Sequence, residues 1–344
     1  MLKRLAVIVV ALTLTGSVWA AKNKLNVYIW SEYIDPKIIE QFSKEFDCDV
    51  TVDLYEDNES MMAKLQGGGT SLYDIVVPSD YIIPALLKNK LLAPFRKENI
   101  PNLKNLDPQF ASREYDPGNK FTAPYQWGTI GLYVRTKPGE TIDETWGLIF
   151  DPKKSIGSFL MIDDARGAIA AALKYKGYSL NTTDKKELKE ARDLLIEAKK
   201  RSLGFEGGVG VKNKVLAKVC RVGMVYNGDA VRGMKEDANT YFFAPREGTE
   251  IWLDNLAIPA KAPNRDMAEK FVNYILDAKI GAQLANFNQY ATPNAAAKEF
   301  INPADLKNPA IYPTAAQRQN MEFIKDLGSK TGWYDELWTS IKSK

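Results

Sequence analysis

Val27-Tyr28-Ile29-Trp30-Ser31-Glu32-Tyr33 is an apolar run that ends in an indole and then offers a hydroxyl, a carboxylate and a second aromatic ring. Asp35-Pro36 follow, and both suit a helix start. Asp accepts from the free N–H groups at a cap, and Pro lacks the N–H that would go unbonded at the first helical position. The stretch therefore reads as strand, turn and helix, with two aromatics and an acid at the turn. In an open α/β sheet that edge is where ligands bind.

Working outward, Lys24 to Trp30 reads as a strand and Pro36 to Phe46 as a helix with Ile38, Ile39, Phe42 and Phe46 on one face. Cys48 to Tyr55 alternates as a second strand. Asn58 to Gln66 is a short helix stopped by Gly67-Gly68-Gly69. Tyr73 to Val77, apolar apart from Asp74, suits a strand covered on both faces, and it runs through Pro78-Ser79-Asp80-Tyr81 into another helix. This βαβαβα order predicts a parallel sheet with right-handed crossovers. Leu91 to Asn119 reads as connecting turns, Phe121 to Trp127 as extended chain, and Thr129 to Arg135 as a strand. Trp146 to Phe150 is a short helical or irregular piece.

A second α/β set begins with a strand at Ser158 to Ile162 and helices at Ala165 to Tyr175 and Asp184 to Arg201. Arg221 to Tyr226 is a strand that ends in Asn227-Gly228-Asp229 before a helix, and Thr249 to Pro259 is another strand. Helices are expected at Arg265 to Leu276, Ile280 to Phe287, Pro313 to Leu327 and Trp333 to Ile341. The chain thus builds one lobe, crosses, builds a second and returns. We place the N-terminal lobe at 21–128 plus 253–295 and the C-terminal lobe at 129–252 plus 296–344. The fold class is α/β, two lobes with an interlobe cleft and two hinge crossings, a pair that can open and close around a ligand.

Residues 1–20 read as a secretory signal: Lys3 and Arg4, then a mostly apolar Leu5 to Leu14, then Val18-Trp19-Ala20 before a cut. No Cys ends that run, so no lipid attachment is expected. The product is read as a monomer exported to the periplasm, without membrane insertion after signal removal. The chain has 46 basic and 43 acidic residues, and without Lys3 and Arg4 the balance is a formal +1. A near-neutral chain gives no case for nucleic acid. Cys48 and Cys220 are too few for a disulfide framework or a cysteine metal site, and they fall in different lobes. Histidine is absent, which excludes Ser-His, Cys-His and His-metal chemistry together. No cofactor and no metal are expected.

Polar and aromatic residues recur at strand exits: Trp30, Ser31, Glu32 and Tyr33; Ser79 and Tyr81; Asp164; Tyr226 and Asp229; and Tyr290 before a turn. In Ile251-Trp252-Leu253-Asp254 the strand period puts Trp252 and Asp254 on one face. Each has a plain alternative. Asp164, Asp229, Ser79 and Asp80 would more often cap helices, Glu32 would favour a helix start, and Trp30, Tyr226 and Trp252 would more often be core. Their joint collection at one cleft edge is what points to a site.

A flexible amine with two or three ammonium groups needs carboxylates at its charges and a narrow apolar sleeve for its methylenes. Aromatic faces add roughly 0.5–2 kcal/mol each by cation–π attraction. Each buried CH₂ contributes about 0.8 kcal/mol, and each hydrogen bond to a charged group roughly 1.5–3 kcal/mol. Trp30, Tyr33, Tyr226, Trp252 and Tyr290 supply a sleeve; Glu32, Asp164, Asp229 and Asp254 supply anions.

On these residues the chain resembles the periplasmic spermidine/putrescine-binding proteins, the solute receptors of polyamine ABC importers. The most specific pieces are Tyr28-Ile29-Trp30-Ser31-Glu32-Tyr33, Val76-Val77-Pro78-Ser79-Asp80-Tyr81, Tyr226-Asn227-Gly228-Asp229, Trp252 to Pro259 and Thr292-Pro293-Asn294. The resemblance implies a two-lobed fold, an interlobe polyamine site, and delivery to a membrane permease with a cytoplasmic ATPase. It implies ligand contacts at Trp30, Ser31, Glu32, Tyr33, Ser79, Tyr81, Asp164, Tyr226, Trp252, Asp254 and Tyr290. Two positions depart from the spermidine pattern: Gly167 where that family places a Glu, and Ile324 where it places a Gln. Asp229 looks like the putrescine branch, and Tyr226 stands where Trp is usual. The rivals are a binder of the same fold for another organic cation or an amino acid and, more remotely, a carboxylate-based hydrolase.

Overall fold

In the computed structural model, which describes residues 22–344, the opening stretch forms strand β1 (Asn23–Trp30). The signal reading falls on residues outside that range. Asp35 caps the helix Pro36–Glu45, its carboxylate accepting from Lys37 N at 3.0 Å with Pro36 next in line. Ile38 and Phe42 turn that helix's apolar face inward. Asp57 caps Asn58–Gln66 by accepting from Ser60 N at 2.6 Å.

The remaining strands are β2 (Cys48–Tyr55), β3 (Ile75–Val76), β4 (Thr122–Arg135), β5 (Phe159–Ile162), β6 (Phe205–Glu206), β7 (Val222–Tyr226), β8 (Thr240–Phe243), β9 (Glu250–Ala257) and β10 (Glu322–Phe323). Among the described residues they join one mixed, ten-stranded sheet in the order β2-β1-β3-β9-β4-β7-β5-β6, with β10 on β9 and β8 on β4. β1 is parallel to β2 and β3, as the alternation with helices requires, and β5 is parallel to β6 and β7. β4 and β9 depart from the parallel reading: β4 is antiparallel to β7, β8 and β9, and β9 is antiparallel to β3 and β4 although parallel to β10. β9 follows β8 with no helix between them, so no crossover forces it into the parallel sense.

β4 is the mechanical link. Its first half, Thr122 to Thr129, pairs with β9, and its second half, Ile130 to Val134, pairs with β7. Ala123 and Tyr125 pack into one core with Leu25, Val27, Ile38, Phe42 and Leu256. Ile130, Leu132 and Val134 pack into a second core with Phe159, Ile169 and Leu195. Two apolar cores on one continuous sheet make a two-lobed α/β molecule.

Cys48 lies in the first core and Cys220 in a third cluster beside Val211 and Val215; both are free thiols. Burial pushes each thiol up to about 11, so neither is a thiolate at neutral pH.

Several stretches differ from the sequence reading, which places no strand at Thr240–Phe243 where β8 forms. The expected strand at Tyr73 to Val77 shortens to Ile75–Val76; Asp74 N still donates to Asn26 O at 2.8 Å, while its carboxylate accepts from Asn26 N at 2.8 Å and Asn264 N at 2.6 Å. The expected helix from Pro313 to Leu327 is only Ala315–Arg318, closed by a Thr314/Gln317 capping box. The chain then becomes β10, with Glu322 opposite Glu250. Finally, the stretch between Arg201 and Arg221, to which no element was assigned, holds β6 and the helix Gly208–Leu216, whose glycine-rich start hid it.

Candidate ligand-binding cleft

One cavity opens between the two cores where β1, β3, β5, β7 and β9 end or pass. Eleven of the twelve residues expected at the site line it: Trp30, Ser31, Tyr33, Ser79, Tyr81, Asp164, Tyr226, Asp229, Trp252, Asp254 and Tyr290. Glu32 does not.

The aromatic part is a set of edge-to-face rings. Trp252 meets Tyr290, Tyr226 and Tyr33 at centroid distances of 5.1, 6.0 and 6.5 Å, each close to perpendicular. Tyr33 meets Tyr290 at 5.5 Å and Tyr125 at 5.2 Å. Such arrangements fix ring planes and leave faces for a ligand. Trp30 stacks obliquely on Tyr55 at 4.5 Å, and its Nε1 donates to the Val77 carbonyl at 2.9 Å. Two glycines admit the rings: a Cβ at Gly128 would lie 2.5 Å from Trp252 Cζ2, and one at Gly228 would lie 2.5 Å from Tyr290.

The acids differ in how they are held. Asp254 accepts from Ser79 Oγ at 2.6 Å and Tyr33 Oη at 2.8 Å, and Ser79 Oγ accepts from Asn58 Nδ2 at 3.0 Å. Burial still pushes the Asp254 carboxyl up to about 7; the two hydroxyls oppose that rise and the charge of Asp164 adds to it. Asp164 does both jobs weighed for it. One oxygen caps the helix Ala165–Tyr175, accepting from Gly167 N at 2.8 Å, and the other accepts from Tyr226 Oη at 2.7 Å. Asp229 is not an N-cap, since its helix already begins at Asn227. It pairs with Arg232 at 2.6 Å, and burial lifts its carboxyl despite that partner.

Glu32 turns away from the cavity at φ 50°, in the left-handed region. Its carboxylate meets Arg232 at 2.8 Å and Lys212 at 3.5 Å, both from the helices of the opposite lobe. It therefore ties one lobe to the other beside the cleft. Half-exposed pairs of this kind contribute about 0–1 kcal/mol and weaken with salt. Replacing Glu32 by Gln is expected to widen the ligand-free molecule, read as a larger radius of gyration in solution scattering. An unchanged radius at low and high salt would remove the clasp from the account.

Sequence reasoning missed Glu56, Asn58, Asp163, the Gly207–Val209 turn and, above all, Glu250. The signal for Glu250 was present: it is two residues before Trp252 in β9, so the alternation that pairs Trp252 with Asp254 extends to it. Asp163 also reaches the cavity, but its carboxylate is taken by Lys342 at 2.7 Å. Of the two departures, Ile324 lines the cavity, whereas a Cβ at Gly167 would press on Ile130 Cδ1 at 2.4 Å.

Two lobes on a shared sheet, a cleft between them, and aromatic faces set among incompletely neutralised acids define a receptor for a small organic cation. The chain belongs to the bacterial extracellular solute-binding protein family, which matches residues 37–314. It is 34% identical to the spermidine/putrescine-binding periplasmic protein of Escherichia coli K12, over 93% of this chain and 92% of that one. It is also 34% identical to the putrescine-binding periplasmic protein SpuD of Pseudomonas aeruginosa, with both chains fully covered. The solved spermidine/putrescine ABC transporter substrate-binding protein PotD of Streptococcus pneumoniae superposes with a TM-score of 0.78 at 31% identity, covering 93% of this chain and 99% of that one.

Proposed function

We propose that this protein is an exported periplasmic receptor that binds a polyamine, putrescine or spermidine, in the interlobe cleft and hands it to the membrane permease of an ABC importer. It binds its ligand without chemistry on it. The observation that carries the reading is the cavity itself, which Asp164 and Asp254 line together with Trp30, Tyr33, Tyr226, Trp252 and Tyr290. Relatives named for spermidine and putrescine binding support the same ligand class. The cleft-lining residues expected from sequence are the proposed contacts, with Glu32 holding the lobes together from outside. The lobe boundaries at 128/129 and 252/253 fall in β4 and β9, and we take these strands as the hinge.

The acids give the reading a pH signature. An ammonium ligand needs them ionised, yet burial holds Asp254 protonated up to about pH 7 in the empty cleft, and raises Asp229 and Glu250 as well. Binding must therefore release protons. Affinity is expected to rise as pH passes from about 5.5 to about 7.5 and to level off above, since the ligand amines stay protonated throughout. Titration calorimetry in buffers of different ionisation enthalpy reads both effects. Affinity that rose on acidification would place the charge on the wrong side of the interface.

A further inference from the structure

β9 carries three side chains of one face into the cavity: Glu250, Trp252 and Asp254. Glu250 is the outlier among the acids. It is 2% exposed, and its Oε2 is buried without any hydrogen-bond partner among the described residues. Asp254 has two hydroxyl donors, Asp164 a helix N–H and a phenol, and Asp229 an arginine. The acid directly across the ladder, Glu322, is also provided for, by Lys174 and by Ser179 Oγ at 2.6 Å. Glu250 alone among these is left without a partner.

Arg166 is the cation whose charge favours ionising it, and its guanidinium is only partly engaged, since Nη1 is buried without a hydrogen-bond partner among the described residues. Its guanidinium lies 4.5 Å over the Tyr334 ring and 5.5 Å over Tyr81, and Nη2 donates to the Lys325 carbonyl at 3.4 Å. Among the described residues no ion pair joins it to Glu250, and it does not line the cavity. The charges of Asp164, Asp80 and Asp254 all act against ionising Glu250. A buried carboxyl with no donor is costly unless something arrives to bond it. The lining also includes the apolar Ile324, which offers an ammonium group no acceptor, and Glu250 is the lining acid whose oxygen has no donor of its own.

Resting on the polyamine reading, we infer that Glu250 is a specificity-determining ligand contact that receives a third ammonium group, so that the cleft favours a triamine over a diamine. Asp164, Glu250 and Asp254 then each face one nitrogen, and the orphaned Oε2 gains its bond only when the third nitrogen is present.

Calorimetry on ligand-stripped protein with putrescine, spermidine and N-acetylspermidine tests this, because acetylation removes one charge and keeps the chain. The intact protein is expected to bind spermidine about tenfold or more tighter than the other two, the loss of one charge-assisted contact. In Glu250→Gln the ratio of spermidine to putrescine affinity should fall by about fivefold or more, and acetylated and free spermidine should converge. Glu250→Met, of similar shape and apolar, should do the same, and serves if the amide variant does not fold. A ratio unchanged in both variants, or equal losses for both ligands, overturns the inference. If the intact protein binds none of the three amines, the polyamine reading itself fails.

Discussion

Asp254→Asn is expected to weaken polyamine binding by about tenfold or more, because it deletes a charge-assisted contact while keeping the side chain's size. The carboxylate is placed by two donors, Ser79 Oγ and Tyr33 Oη, and Ser79 is itself held by Asn58. Such a shell fixes the acid before the ligand arrives, so little ordering is left for binding to accomplish. The empty protein should respond oppositely. Its carboxyl has a raised proton affinity, so ionising it opposes folding as pH rises from the unfolded value toward about 7. Asn removes that opposition, and the ligand-free variant should melt no lower than the parent at about pH 7.5. Weakened binding together with undiminished stability separates a ligand contact from a structural one. Unchanged affinity would remove Asp254 from the site.

Trp252→Ala should lower affinity by a similar or larger factor for a different reason. The indole is 7% exposed and borders Tyr33, Tyr226 and Tyr290 at once. Truncation removes a cation–π face of roughly 0.5–2 kcal/mol and the wall against which ligand methylenes are buried at about 0.8 kcal/mol each. It also leaves a hole above Gly128, where the backbone approaches closely. Here stability should fall too, by about 3–5 kcal/mol in a denaturant titration. Trp252→Phe should recover most of the stability and part of the affinity. If Trp252→Ala bound polyamines as the parent does, the sleeve would have to be drawn elsewhere.

What could be read from sequence follows from where each signal is local. Asp35-Pro36 announces a helix start because capping is a contact within three residues, and the structure forms it there. Trp252 and Asp254 were paired because a strand's period is two. β10 was illegible, since Glu322–Phe323 becomes a strand only through pairing with β9, some seventy residues earlier in the chain. The helix Gly208–Leu216 was hidden by glycines that lower intrinsic propensity, yet the cavity needs that turn, because a Cβ at Gly208 would meet Tyr226 Cδ2 at 2.8 Å. Glu250 was overlooked although it obeyed the same alternation as its two neighbours. Nothing in the local pattern shows that a carboxylate lacks partners; only the packed structure does. Glu32 was grouped with the ligand acids by its place in the turn, whereas its left-handed backbone sends it across to Arg232.

The most direct test of the central claim is a calorimetric panel on refolded, ligand-stripped protein: putrescine, cadaverine, spermidine, spermine and arginine, at about pH 7.5, above the Asp254 titration. Saturable one-to-one binding of at least one polyamine is expected, about tenfold or more tighter than arginine, whose carboxylate would face the acids of the cleft. Binding of arginine with no heat from any polyamine would contradict it.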